Sequence, residues 1–330
     1  MLKIAYIVGG SLSRIADLPC LARQRSIGRL VGYLTHARYS FAPMSPWWLL
    51  VFLAVLLIGV TKSGFGAGVG LMIVPMTVVA MGHLPGGAEA TLGLMLPLLI
   101  VGDVIAVGQY RRLVNFKIVR RLLPGTVLGI LVGGWLLLVF KRQPQQLLTA
   151  LIKIEIGLES VGLVGLHWYR TWRAGTELKF RPSMVRSSAV GAFAGASSTL
   201  AHAAGPIIAL HLLPQKLDRQ VFVGTCAVYF FLVNMAKVPV YAWSAHQFHP
   251  DILLLSLKLA PLVFVGAGFG FWVTRRMNDQ LFSKIVYALT FCLGWYLLVD
   301  GGRAVRAAHA PPPIQKTTLT APYGSLARSA

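Results

Sequence analysis

The sequence predicts an all-α, polytopic membrane protein with about eight transmembrane helices, arranged as two repeated halves that each contain a broken or re-entrant segment. Composition is the first observation behind this prediction. Hydrophobic residues make up 56% of the 330-residue chain and charged residues only 12%, whereas soluble domains carry about 25% charged residues. A soluble core of this size would still need a polar surface, so the surface of this protein must be covered by lipid.

The second observation is a series of apolar runs along the chain. A helix that spans a bilayer needs about 20 apolar residues, and most of the runs approach that length. The run at 204–213 is too short and the run at 66–82 begins in a glycine cluster, so both are predicted to be partial or re-entrant helices. The runs lie at 46–62, 66–82, 90–109, 121–140, 147–168, 185–200, 204–213, 219–242, 251–273 and 281–299.

The third observation is an internal repeat at an offset of about 135 residues. The segments 63–75 and 198–208 each place a break of small residues after an apolar helix, and a short apolar run follows each break. In the same alignment Asp103 falls opposite Lys237. Paired broken segments in corresponding halves indicate the binding site of a transporter. The alternative is that the small residues only let helices pack closely.

These elements divide the chain into five segments. They are a basic N-terminal extension at 1–44, a first transmembrane repeat at 45–169, a cytoplasmic linker at 170–184, a second transmembrane repeat at 185–302 and a tail at 303–330. The extension and the tail are predicted to be disordered. Arginine and aspartate interrupt the apolar stretches of the extension, so no secretory signal peptide is predicted there.

The formal charge of +21 lies mainly in the short loops, where basic residues mark the cytoplasmic side and attract anionic lipid. No aromatic-basic platform for nucleic acid accompanies it. The loops at 110–121 and 170–186, the extension and the tail are therefore predicted to be cytoplasmic. Counting crossings then gives eight spans, two parallel halves and a multi-pass protein of the cell inner membrane. The basic loops at 141–146 and 274–280 fall outside, against the rule.

Motifs recur in both halves and in a fixed order, namely Lys62–Gly70 with Pro75, Ser198–Pro206, Leu212–Gln215, Phe222–Thr225 and Asn234–Pro239. They resemble the motifs of the sulfite exporter TauE/SafE family over about residues 45–300. Ile207 departs from the family pattern, in which a second proline often follows Gly-Pro. The resemblance implies a membrane transporter of sulfite, organosulfonates or other small organic anions.

A small anion needs hydrogen-bond donors, which the start of a half-helix supplies as free backbone N–H groups and a partial positive charge. Helices beginning near the two breaks would provide two such ends. The hydroxyl groups could instead bond their own helix backbone, and His202 could be a structural donor rather than an anion ligand. The candidate substrate-binding residues are Ser63, Gly64, Gly66, Gly68, Gly70, Ser197, Ser198, Thr199, His202, Gly205 and Pro206.

Charged and amide side chains inside apolar runs are costly and usually functional. Lys62 precedes the first break, although a lysine there could also extend to the membrane surface. Glu155 lies one turn from Glu159, and the two could carry a coupling proton or form a structural pair with Lys153 or with another helix. The candidate gating or coupling residues are Lys62, Asp103, Glu155, Asn234 and Lys237. Because the halves are predicted to be parallel, Asp103 and Lys237 are expected at one depth and able to pair.

These observations favour a secondary transporter of a small anion, coupled to a proton or sodium, over an intramembrane enzyme or a non-transporting scaffold. An enzyme would need a nucleophile and a base, for which only Ser198 and His202 offer a pattern. Cys20, Cys226 and Cys292 are far apart and have no metal-binding spacing. The expected partners are the anion and membrane lipid, and a homo-oligomer fits the sequence. Nucleic acid, a cofactor and a bound metal are not expected.

Overall fold

The structure, a computed structural model, describes residues 46–62, 70–82, 87–173, 183–244, 248–274 and 279–309, which are almost entirely helical. A 3₁₀ turn at Leu213–Gln215 follows α7, and a π-helical segment at Val240–Ser244 extends α8. The helices are α1 Trp47–Lys62, α2 Gly70–Met81, α3 Gly87–Tyr110, α4 Phe116–Lys141, α5 Gln145–Trp172, α6 Met184–Ala201, α7 Ala204–Leu212, α8 Arg219–Pro239, α9 Pro250–Thr274 and α10 Asp279–His309.

Each predicted apolar run corresponds to one helix, and the two predicted partial segments are the short helices α2 and α7. The prediction of a disordered tail from residue 303 is wrong at its start, because α10 continues to His309. The rest of the tail and the N-terminal extension lie outside the described residues. Among the described helices, five are long and apolar enough to cross a membrane, namely α3, α4, α8, α9 and α10. The 28-residue α5 adds a sixth described helix of spanning length, whereas α1 and α6 have only 16 and 18 residues.

The helices α6 and α7 form a hairpin whose tip lies inside the bundle. The chain turns at His202, and the Ala203 N–H reaches back to the Ser197 carbonyl. The helix α7 then runs back along α6, since His211 near its end contacts Ser187 in the first turn of α6 at 3.3 Å. The hairpin therefore enters and leaves at one end of the bundle.

That end is the one where α3 meets α4, and it is called the basic end because its turn contains Arg111 and Arg112. The start of α6 lies there, since the Ser188 hydroxyl donates to the Arg121 carbonyl at 3.2 Å. The start of α8 lies there too, because the Thr225 hydroxyl accepts a hydrogen bond from the Asn115 N–H at 3.0 Å.

The helices α1 and α2 form a second hairpin that enters from the opposite end, where α4 meets α5. The last residue of α1, Lys62, reaches Asp103 in the second half of α3. Gly82, which follows α2, lies beside Lys153 in the first third of α5. The helix α1 packs along α2 and, at about 1.5 Å per residue, spans the distance from the level of Asp103 back to the level of Gly87.

The two hairpins therefore point towards each other from opposite ends, and the halves are inverted. Corresponding helices of the two halves run antiparallel, as α3 and α8 show: Asp103 meets Asn234, and the α3 end meets the α8 start. The prediction of parallel halves is wrong. The prediction counted α6 as a complete crossing of the membrane. In the structure α7 returns the chain to the end of the bundle at which α6 began.

Helix α10 runs antiparallel to α5, because Lys153 pairs with Asp300 near the end of α10 and His167 stacks on Tyr287 near its start. The α10 C-terminus thus lies at the end opposite the basic end. The prediction that the tail shares a face with the loops at 110–121 and 170–186 is therefore wrong. The start of α10 lies at the basic end instead, while Arg275 and Arg276 of the preceding connection lie outside the described residues.

Glycines let the hairpins approach the long helices closely. In α4, Gly125, Gly129 and Gly133 face α6 at four-residue spacing, and a Cβ on Gly129 would collide with the Ala192 carbonyl. The equivalent contact in the other half joins Gly59 of α1 to the backbone of α9. Small residues at such crossings permit backbone contact where no hydrophobic effect drives association. Each hairpin is thus held against the fourth helix of the opposite half.

Candidate functional site

A cavity of about 100 Å³ lies between the two hairpin tips. Since one water needs about 10–15 Å³ of such space, the cavity can hold a solute of a few heavy atoms. Both breaks reach it, through Gly70 at the start of α2 and through Ala204 and Gly205 at the start of α7. Residues of both breaks therefore line one cavity, while the candidate residues Ser63, Gly64, Gly66 and Gly68 lie outside the described residues.

One wall of the cavity carries an ion pair of the first half. The Lys62 ammonium lies 2.5 Å from Asp103 Oδ1, and the Asn234 amide donates to Asp103 Oδ2 at 2.6 Å. Lys62 also lies over the ring of Phe230, at 5.1 Å from its centroid. Asp103 is fully buried while the Lys62 side chain remains 14% exposed. The lysine is therefore the member of the pair that an entering solute can reach.

The second half places its own cation behind the tip of α6. Lys237 is fully buried and donates to the Ser198 carbonyl at 2.9 Å and to the Ser198 hydroxyl at 3.0 Å. Its third contact is His202 Nδ1 at 2.8 Å. An ammonium group has three donors, and these three acceptors use all of them. A cation at the C-terminal end of a helix also complements the helix dipole.

Asp103 of α3 and Lys237 of α8, which align in the repeat, have the same structural role: each binds the end of a broken helix. The expected direct pairing of Asp103 with Lys237 is wrong, because Lys62 is the partner of Asp103 and the α6 tip is the partner of Lys237. The two charges still lie near enough to interact electrostatically. Asn234, one turn before Lys237 on α8, binds the second oxygen of Asp103.

His202 lines the cavity and forms the turn itself. Its backbone has φ 53° and ψ 26°, a left-handed conformation that is uncommon for residues other than glycine. The Leu92 carbonyl lies 3.2 Å from Nε2, so Nε2 carries the proton and Nδ1 accepts from Lys237. Because both ring nitrogens are engaged and Ser198 bonds Lys237, the Ser198–His202 pattern does not form a nucleophile and base.

The three predicted hydroxyl donors point in different directions. Ser198 lines the cavity. The Ser197 hydroxyl instead donates to Glu159 Oε2 at 2.9 Å, and the Thr199 hydroxyl bonds the Gly195 carbonyl of its own helix at 2.9 Å. The alternative of bonding to the helix backbone therefore holds for Thr199, which does not line the cavity.

The other predicted residues fall into two groups. Gly205 and Asn234 line the cavity, whereas Pro206 is buried within α7 and has no N–H to offer. Glu155 lies on α5 away from the cavity, next to Glu159. Of the two structural alternatives, pairing with Lys153 does not occur, because Lys153 binds Asp300 at 2.7 Å. A contact with another helix does occur, because Glu159 accepts a hydrogen bond from Ser197 of α6.

Sequence reasoning missed several residues that shape the site. The Tyr241 hydroxyl donates to the Thr199 carbonyl at 2.6 Å and so caps the end of α6 from the π-helical segment. Phe222, Cys226 and Phe230 of α8 line the cavity. The repeat alignment could have indicated α8, since it places this helix opposite α3, but not which of its faces is turned inward.

Taken together, inverted halves, two opposed hairpins and a central cavity within an apolar helical bundle define a polytopic membrane transporter. The family model of the sulfite exporter TauE/SafE family matches residues 51–297, which covers most of the chain. The chain therefore belongs to the sulfite exporter TauE/SafE family, whose members are transporters and not enzymes. No curated protein and no solved structure matches the chain.

Proposed function

We propose that this protein is a secondary transporter that moves sulfite or a small organosulfonate across the cell inner membrane through the cavity between the hairpin tips. The observation that carries the proposal is the position of Lys62. Its ammonium group lines the cavity and stays partly exposed there, while its partner Asp103 is fully buried. The segment 63–69 contains no ionisable side chain. Ionisable side chains in a membrane interior mark substrate pathways, and a cation that an entering solute can reach suits an anionic substrate.

The dipoles of the short helices add to this preference. Helices α2 and α7 both begin at the cavity, so their unpaired N–H groups and partial positive charges face its contents. Facing half-helices of this kind hold anionic substrates in transporters with inverted repeats. The cavity volume of about 100 Å³ favours a small anion over drug-sized ligands, which need about 300–1,000 Å³.

Lys62 is the residue that we assign to direct anion contact. It lines the cavity and shares its charge with Asp103, so an entering anion competes with the carboxylate for the ammonium group. Anion binding would weaken the Lys62–Asp103 ion pair that holds the end of α1. The contacts of Lys237 with the end of α6 lie behind the α6 tip and would stay in place. This difference supplies a route by which substrate binding frees one hairpin.

The inverted arrangement also defines an orientation. Arg111, Arg112, Lys117, Arg120 and Arg121 all lie in or near the α3–α4 turn at the basic end. By the preference of arginine and lysine for the cytoplasmic side, this end faces the cytoplasm, and the start of α1 and the end of α10 face away from it. Cysteine accessibility at Trp172 (basic end) and Arg306 (opposite end) would test this orientation in whole cells.

The anion site is tested with purified protein. Sulfite and methanesulfonate should raise the apparent unfolding temperature, because a ligand that binds the native state stabilises it, and both should enter proteoliposomes that contain the protein. Lys62→Met should remove the shift and the flux. Lys141→Met is the matched control, since Lys141 pairs with Glu89 at 2.7 Å outside the cavity, and it should retain both. Equal anion binding by the two variants would exclude Lys62 from the site.

A further inference from the structure

We infer that Glu155 and Glu159 form a proton-binding site, in which two carboxyl groups share one proton, and that this proton is the coupling ion. The inference rests on the proposed anion transport and adds the ion that drives it. The two residues occupy positions i and i+4 of α5, where side chains on one helix face are neighbours, and they interact with each other.

The first observation is an unsatisfied atom. Glu155 Oε1 is buried and has no hydrogen-bond partner among the described residues. A buried carboxylate oxygen without a donor is costly, and a second carboxylate one turn away adds repulsion. Two carboxyl groups in one poorly solvated site relieve both costs when a single proton bridges them.

The second observation is the neighbouring side chain. Glu159 Oε2 already accepts the Ser197 hydroxyl at 2.9 Å, so Glu159 is the carboxyl whose charge is supported. Glu155 is therefore the carboxyl group that holds the shared proton and donates it in a hydrogen bond to Glu159. Tyr241 donates to the Thr199 carbonyl and is therefore engaged elsewhere.

Among the described residues, two lysines in this part of the bundle are engaged elsewhere. Lys153, on α5 itself, is held by Asp300 of α10, and Lys237 of α8 is held by the α6 tip. Tyr241 lies near enough to Glu155 to interact electrostatically. The described residues contain no group of three or more His, Cys, Asp or Glu side chains that could hold a metal ion.

The pair connects to the cavity through adjacent residues of α6. Ser197 binds Glu159, while Ser198 lines the cavity and binds Lys237. An anion bound beside Ser198 therefore lies one residue from the hydrogen bond that supports Glu159, and its negative charge raises the affinity of the pair for its proton without a movement of the α6 tip. Per cycle, one proton from one solution converts the dianionic pair into a monoanion and then leaves to the other solution, and only O–H bonds form and break.

The test uses proteoliposomes and methanesulfonate, a strong-acid anion whose charge does not change with pH. An imposed pH gradient should accelerate its flux through the wild-type protein several-fold, and Glu155→Gln and Glu159→Gln should lose this acceleration but keep methanesulfonate exchange. The matched control Glu89→Gln, which alters a carboxylate paired with Lys141, should keep the acceleration. Flux driven by a sodium gradient and indifferent to pH would overturn the inference.

A second measurement separates failure of this inference from failure of the proposed function. Infrared spectra of the purified wild-type protein should show the C=O band of a buried protonated carboxyl group, and each single glutamine variant should lack it. If no anion is transported but the band is present and lost in the variants, the proposed function fails and the proton site stands. If anions are transported and the band is absent, the proton site is wrong.

Discussion

In the first half the cation lies on the broken helix and its acceptor on a long helix, because Lys62 ends α1 and Asp103 lies in α3. In the second half the cation, Lys237, lies on the long helix α8, and its acceptors, Ser198 and His202, form the broken end of α6. Both halves thus join a hairpin tip to a long helix, with the positions of the cation and its acceptor exchanged.

The exchange changes what each contact can do. The first contact is an ion pair with one partly exposed member, so an anion can take the place of the carboxylate. The second contact joins a fully buried cation to uncharged acceptors, and breaking it would leave several buried groups without partners. We therefore expect the α1–α2 hairpin to respond to substrate and the α6–α7 hairpin to remain anchored.

The largest effect is expected from exchanging the two charges, Asp103→Lys with Lys237→Asp. The new lysine would face Lys62, and the new aspartate would face the Ser198 carbonyl. Both buried charges would lose their partners, and breaking one buried pair already costs about 3–5 kcal/mol. The double variant should therefore yield no more folded protein than either single variant, as measured by gel filtration in detergent. If the double variant instead recovered folded protein, this result would indicate that Asp103 and Lys237 pair directly.

The next largest effect concerns the ion pair alone. Asp103→Leu should destabilise the protein by about 3–5 kcal/mol, because it leaves the Lys62 charge uncompensated. Adding Lys62→Met should recover most of that loss without restoring anion binding. Glu89→Leu is the control, since its pair with Lys141 is about one-fifth exposed and is worth about 0–1 kcal/mol. Equilibrium unfolding in mixed micelles measures all three variants, and equal free-energy costs for Asp103→Leu and Glu89→Leu would contradict the distinction between the two ion pairs.

A smaller loss of stability is expected from substitutions at the glycines where the hairpins contact the long helices. Gly129→Leu should displace α6 from α4, and Gly59→Leu should displace α1 from α9, because each new side chain would meet backbone atoms. Overpacking of this kind costs about 1–3 kcal/mol. Gly162→Leu on α5, where the space around the Cβ is open, should cost little. If only Gly129→Leu lowers the unfolding temperature, the two hairpins are not anchored alike.

The smallest effect is expected at the turn of the second hairpin. His202→Ala and His202→Gly both remove the imidazole, but only glycine accepts the φ of 53° without strain. The left-handed conformation costs about 1–2 kcal/mol for a residue with a Cβ. His202→Gly should therefore be more stable than His202→Ala by about 1 kcal/mol in the same unfolding measurement. Equal stabilities would indicate that the turn relaxes when the histidine is lost.

The helices themselves could be predicted from the sequence. Apolar runs set the number of helices, and the repeated glycine and alanine breaks indicated α2 and α7 as short segments, because both signals are local. The repeat alignment also placed Asp103 opposite Lys237. It could not identify their partners. Lys62 and Ser198 reach Asp103 and Lys237 only because each hairpin folds back into the bundle, and no local sequence pattern indicates that fold.

What the sequence determined by itself is the class of the protein: its composition requires lipid around it, and its motifs in both halves place it in a family of anion transporters. The tertiary structure decided the direction of the halves, the partners of the buried charges and the position of the Glu155–Glu159 pair behind the α6 tip. The physical reason is that the apolar character of a segment depends only on its own residues and can be read from the sequence. A buried charge is stabilised by whichever partner the fold brings within hydrogen-bond distance.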